Sequence, residues 1–85
     1  DTGAEEGMVR LFINIGKSQR IRPGDILGAV AGEAKIPGKL VGAIDMYDNY
    51  TFVEVPQDYG KDVLKAMKHV KIKGKSVNVE PANAR

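Results

Sequence analysis

Twice in this 85-residue chain a glycine is followed by lysine and serine: Gly16-Lys17-Ser18, which closes the apolar run LFINI, and Gly74-Lys75-Ser76. Such a triplet ends a nucleotide phosphate loop when it completes G-x-x-x-x-G-K-[ST], because the first glycine lets the backbone aim successive N–H groups at phosphate. Here that first position is held by Leu11 and His69. Neither triplet is a phosphate loop of that kind. Other catalytic chemistry is equally short of parts. The chain has no cysteine and one histidine, His69, so it offers no thiolate metal site, no histidine cluster and no Ser-His-Asp relay. Arg10, Asn14 and Gly16-Lys17 together lack the spacing of an anion-cradling hydrolase loop. No catalytic residue, cofactor or metal is expected, and the question becomes what the chain binds.

Charge narrows the answer. The formal net charge is +2, but residues 1–7 hold Asp1, Glu5 and Glu6 and no basic group, which leaves 13 basic against 8 acidic residues, a net +5, in the rest. Six lysines and one acid, Asp62, fall within 61–75. A basic domain behind an acidic leader suits an anionic partner. At 85 residues there is room for one modest core, and 42% hydrophobic with 28% charged residues is the balance of a folded, soluble domain. No apolar run approaches the length of a membrane span, no signal sequence is visible, and the lack of cysteine fits a reducing cytoplasm. Residues 1–7 read as the end of a flexible linker, 8–82 as the domain and 83–85 as a tail.

The elements that would position a binding surface follow from periodicity. MVRLFINI alternates, with Val9, Leu11, Ile13 and Ile15 on one face and Met8, Arg10, Phe12 and Asn14 on the other. A basic loop, GKSQRIR, leads to Pro23 and Asp25, which suit the first turn of a helix. Ile26, Leu27, Val30, Ala31 and Ala34 then recur at helical spacing. Gly24, Gly28 and Gly32 recur every four residues and are expected to let this helix lie close to a sheet. IPGK ends the helix. LVGAIDMY reads as a strand with Gly42, Ile44 and Met46 inward, and YTFVEV as one with Thr51, Val53 and Val55 inward and Tyr50, Phe52 and Glu54 outward. A second helix is expected from about Asp58, with Tyr59, Val63, Ala66, Met67 and Val70 as its stripe. KIKGKSVNVE bends at Gly74 into a last strand with Val77 and Val79 inward.

The order β-α-β-β-α-β predicts an α+β, ferredoxin-like sandwich: a four-stranded antiparallel sheet with two helices on one face. Phe12, Tyr50 and Phe52 then fall on the uncovered face of the two central strands. Burying one such ring is worth roughly 1.5–3 kcal/mol, so leaving three outside calls for a partner. Single-stranded nucleic acid is one, since each base stacked on a ring contributes about 1–3 kcal/mol. A protein segment or a second copy of the domain is the alternative occupant of such a face.

These residues also carry a family resemblance. LFINIG is similar to the shorter ribonucleoprotein motif of RNA recognition motif domains, and DNYTFVEV to the longer one, with Tyr50 and Phe52 on its stacking positions. Asp48 stands where that motif has a basic residue, Asn49 where it has glycine, and Val55 where it ends in an aromatic. Over residues 8–82 the runs RLFINIGK, RPGDILGAVAGEA, VGAIDMYDNYTFVEVP and VLKAMKHVKIKGKSVNVE resemble the DbpA-type RNA-binding domain. That is the divergent RNA recognition motif at the C-terminus of some bacterial DEAD-box RNA helicases. The resemblance implies a non-catalytic, monomeric RNA-binding module that targets helicase core domains, carried in cis, to structured RNA. Ribosomal RNA is the usual target in that family, which implies a role in ribosome biogenesis. This chain has no Asp-Glu-Ala-Asp motif and is not expected to hydrolyse ATP.

Asp45, Asp48 and Glu54, on or beside the sheet face, would repel a phosphate backbone there. Positive charge gathers instead in Lys17, Arg20 and Arg22 of the first loop and in Lys71, Lys73 and Lys75. The last strand neighbours the first in this topology, so the two groups are expected to meet in one phosphate-binding patch. The candidate RNA-contacting set is therefore these six cations with Arg10, Phe12, Asn14, Tyr50 and Phe52 of the sheet.

Overall fold

Alternating aliphatic residues on two strands assemble the core, and everything else is arranged around them. The computed structural model describes residues 3–82; the first two residues of the expected linker and the expected tail at 83–85 lie outside it. Strand β1 spans Met8–Ile13, helix α1 Pro23–Ala34, β2 Ile44–Met46, β3 Thr51–Pro56, α2 Gly60–Ala66, β4 Lys71–Ile72, β5 Lys75–Ser76 and β6 Val79–Pro81. The four-stranded sheet runs β2-β3-β1-β6, and each pair is antiparallel. This is the ferredoxin-like α+β sandwich that the periodicity implied. Strands β4 and β5 form a separate hairpin between α2 and β6.

Leu11 and Ile13 of β1 and Val53 and Val55 of β3 are almost wholly buried, in one cluster with Ile26 and Val30 of α1, Val63 of α2, and Met67. Because side chains alternate along a strand, the residues between them, Arg10, Phe12, Phe52 and Glu54, face away from the helices. Thr51 is the buried polar residue on the helix side, and its hydroxyl donates to the Ile15 carbonyl at 2.7 Å.

Helix α1 begins as the sequence signals. Pro23 occupies its first turn, and the Arg22 N–H donates to Asp25 Oδ2 at 2.8 Å. Its glycines are a correction. A Cβ at Gly24, Gly28 or Gly32 would meet nothing within 4 Å, so these residues face solvent and do not bring the helix closer to the sheet. Leu27, expected in the core stripe, is 37% exposed. Gly42 is a second correction. Its N–H donates to the Glu54 carbonyl while the Glu54 N–H donates to the Ala43 carbonyl, so two residues oppose one and the alternation slips. A Cβ on Gly42 would strike Met8 Cε and approach Glu54 Cβ, on the open face rather than in the core. The second helix starts as a 3-10 turn, Gln57–Tyr59, that runs into α2.

Candidate nucleic-acid interface

The open face of the sheet carries a cluster of four rings. Register places Phe12 directly opposite Phe52. Tyr50 stacks on Phe12 with centroids 5.7 Å apart and packs edge-on to Phe52 at 5.6 Å. The fourth ring, Tyr47, stacks on Tyr50 at 5.0 Å and is 46% exposed. Tyr47, the last residue of LVGAIDMY, lies past the end of β2 in the turn, and it falls outside the candidate set because neither ribonucleoprotein-like motif includes it.

Arg10 sits beside these rings and is fully engaged. Its guanidinium carbon stands 4.5 Å from the Phe52 centroid. One terminal nitrogen lies 2.7 Å from Asp45 Oδ2 and the other 3.1 Å from Glu54 Oε2. The Arg10 side chain is 14% exposed and that of Glu54 4%, so this charge is spent within the sheet. Glu54 also accepts from the Glu5 N–H at 3.3 Å, while the Gln57 N–H donates to the Gly7 carbonyl at 3.0 Å, which ties residues 5–7 to the sheet. Asn14 is likewise engaged: its amide oxygen accepts from the Asn78 N–H at 2.7 Å, closing β1 against the segment that leads into β6.

The Gly16-Lys17-Ser18 triplet has a structural task. Its N–H groups point at carbonyls: Lys17 N–H to Tyr47 at 2.9 Å and Ser18 N–H to Asp48 at 2.9 Å. The Ser18 hydroxyl contacts the Asp48 carbonyl and Asn49 Oδ1, each at 2.8 Å. Gly16 is required for this approach, since a Cβ there would collide with the Tyr47 carbonyl oxygen and lie 2.8 Å from the Asp48 carbonyl carbon. Asp48 and Asn49, which depart from the longer ribonucleoprotein motif, are the residues that hold this loop.

Docking the loop in this way projects its cations to one side. Lys17, Arg20 and Arg22 line a cleft of about 650 Å³ with Ile21, Asp25 and Lys73. Lys73 reaches it from the turn of the β4–β5 hairpin, and its Nζ lies 3.6 Å from Asp25 Oδ2 at the start of α1. Of the second basic group only Lys73 thus joins the first, through α1 and the hairpin rather than across the β1–β6 pair. Lys71 is not part of this cleft. It lines a second depression of about 380 Å³ with Lys68, His69 and Ser76. Lys75 is exposed on β5, opposite Ile72. Lys17 also borders a third depression, about 420 Å³, with Tyr47, Asn49 and Tyr50, so the cleft and the ring cluster share one lysine. Among the described residues no cluster of His, Asp or Glu could hold a metal ion.

A ferredoxin-like sheet with rings on its uncovered face, flanked by a basic loop, defines an RNA recognition motif-like binding domain. Residues 10–81 match the family described as DbpA RNA binding domain. The chain belongs to that family. It is 36% identical over 76 residues to ATP-dependent RNA helicase DbpA of Bacillus subtilis, covering 89% of this chain and 16% of that protein. Against ATP-dependent RNA helicase DbpA of Escherichia coli it is 36% identical over 75 residues, 88% of this chain and 16% of the relative. ATP-dependent RNA helicase DeaD of Haemophilus influenzae is 31% identical over 67 residues, 79% of this chain and 11% of that protein. The chain thus spans a small part of these relatives. The matched family is an RNA-binding domain and not a helicase core, so this chain is a non-catalytic RNA-binding module.

Proposed function

We propose that the domain anchors a DEAD-box helicase core in the same polypeptide to structured RNA, ribosomal RNA foremost, and that backbone phosphates lie in the basic cleft. The observation that carries the reading is the convergence of Lys17, Arg20, Arg22 and Lys73 from two distant loops around one cleft in which Asp25 is the only acid among the described residues. Four cations on one concave surface release counterions when phosphate displaces them, which supplies affinity without reading sequence. The sheet face makes a poorer phosphate surface, because Asp45, Glu54 and Glu80 stand around its rings and Arg10 is neutralised.

The test is a titration of a structured ribosomal RNA fragment at several salt concentrations. If the four cations each meet a phosphate, the logarithm of affinity falls against the logarithm of salt with a slope of roughly −3 to −4. Arg20→Gln with Arg22→Gln should flatten that slope by about two units. An affinity indifferent to salt, or to both substitutions, refutes the cleft as the phosphate site. A fusion to a helicase core that gains no affinity for that fragment from this domain refutes the anchoring role.

A further inference from the structure

The open sheet face has a chemistry opposite to that of the cleft, and the phosphate contacts proposed for the cleft leave it unused; the inference below rests on that reading. Asp45, Glu54 and Glu80 all stand on this side; the register sets Glu80 of β6 opposite Phe12 and Asp45 of β2 opposite Phe52. Among the described residues Arg10 is the single cation on this side, and it is already paired with two of the three. Phe52 and Phe12 lie in the row between Asp45 and Glu80, and at the turn end beside them Tyr47 and Tyr50 are 46% and 38% exposed. The rings hold one another by stacking, so the platform exists before any partner arrives. Lys17, the cation nearest the tyrosines, stands at the turn end of the cluster, on the border with the cleft.

Arg10 shows what this surface binds well. Its guanidinium lies over a ring with a carboxylate at either side, combining a cation–π contact with charge-assisted hydrogen bonds. The rest of the face repeats those components without a second cation among the described residues: Tyr47, Tyr50 and the half-buried Phe12 as rings, Glu80 and the partly exposed Asp45 as counter-charges. We propose that this face docks an extended, arginine-rich segment of a partner protein, its guanidinium groups laid over the outward surface of the ring cluster, Tyr47 foremost, as Arg10 lies over Phe52. Charge complementarity selects this occupant. A single-stranded nucleic acid would stack equally well on the rings but would bring phosphates against the same carboxylates. Arginine is preferred to lysine because a planar, weakly hydrated guanidinium stacks on a ring while keeping its donors free for carboxylate.

The experiment titrates the isotope-labelled chain with a decapeptide of alternating arginine and glycine, its lysine and glutamate analogues, and an oligouridylate. The arginine peptide should shift the amides of Phe12, Asp45, Tyr47, Phe52 and Glu80. It should bind about threefold to tenfold more tightly than the lysine peptide, and the glutamate peptide should not bind. Tyr47→Ala and, separately, Glu80→Lys should each weaken the arginine peptide about tenfold while leaving the melting temperature in place. Both residues are exposed, so either variant alone keeps the test decisive. Arg22→Gln, in the cleft, should leave the peptide unaffected, which separates failure here from failure of the RNA site. The proposal is overturned if the peptide shifts no amide of the sheet face, if both face variants bind it normally, or if oligouridylate occupies the face more tightly than the peptide.

Discussion

Arg10 and Glu54 face each other across β1 and β3, with Nη1 3.1 Å from Oε2 and the carboxylate almost wholly buried. A buried carboxylate without its cation is costly, whereas replacing both partners by apolar groups often costs little. Arg10→Leu alone is therefore expected to destabilise the domain by about 3 kcal/mol, and Arg10→Leu with Glu54→Leu to recover most of that loss. Urea denaturation of the two single variants and the double variant measures the coupling. Additive effects would show that the pair is incidental to stability.

Gly16 and the Tyr47–Asp48 backbone meet so closely that no side chain fits between them. The neighbouring atoms are main chain on a short turn and have little room to yield. Gly16→Ala is expected to cost about 1–3 kcal/mol, as overpacking does, and to move Lys17 away from the cleft. Structured RNA should then bind more weakly even at temperatures where the variant stays folded. Thermal melts paired with RNA titrations check this, and a variant of normal stability and affinity would contradict the docking of the loop.

Much of this architecture was legible beforehand, for reasons that differ by element. In β1 one face is uniformly aliphatic and in β3 it is Thr51, Val53 and Val55, so only one register buries them, and the positions of Phe12, Phe52 and Tyr50 follow. The Arg10–Asp45–Glu54 group was not legible, since it depends on how three separate strands align. The glycine spacing in α1 was visible but its phase was misjudged. Gly28 and Gly32 stand two positions after the buried Ile26 and Val30, and at 100° per residue that places them on the opposite side of the helix. The basic cleft was half legible. Lys71, Lys73 and Lys75 are close in sequence, but a hairpin sends them in different directions, and only Lys73, at its tip, reaches the first loop.

The solvent-facing glycines of α1 yield a prediction of opposite sign. Gly28 is in the helix interior with open space where a Cβ would go, so alanine adds no clash and removes backbone freedom from the unfolded chain. Gly28→Ala is expected to raise stability by about 0.5–1 kcal/mol, read from the denaturation midpoint. A loss of stability would mean that the helix makes a contact there after all.

Lys73 and Gly74 have φ values of 50° and 78°, and as the central pair of a two-residue hairpin between Ile72 and Lys75 they form a turn that favours Asn-Gly. A lysine with positive φ costs roughly 1 kcal/mol relative to a residue suited to it. Its ion pair with Asp25, at 3.6 Å and half exposed, returns less than about 1 kcal/mol. Local stability thus gives little reason for lysine here, whereas a cation at the rim of the cleft does. Lys73→Asn is expected to leave stability unchanged or raise it by about 0.5 kcal/mol. The same substitution should weaken structured RNA binding and reduce the salt slope by about one unit, the share of one phosphate contact. Stability and affinity moving in opposite directions distinguish a binding residue from a structural one, because a structural lysine would lower both. Denaturation curves and salt-dependent titrations on one preparation decide it, and unchanged affinity would remove Lys73 from the RNA site.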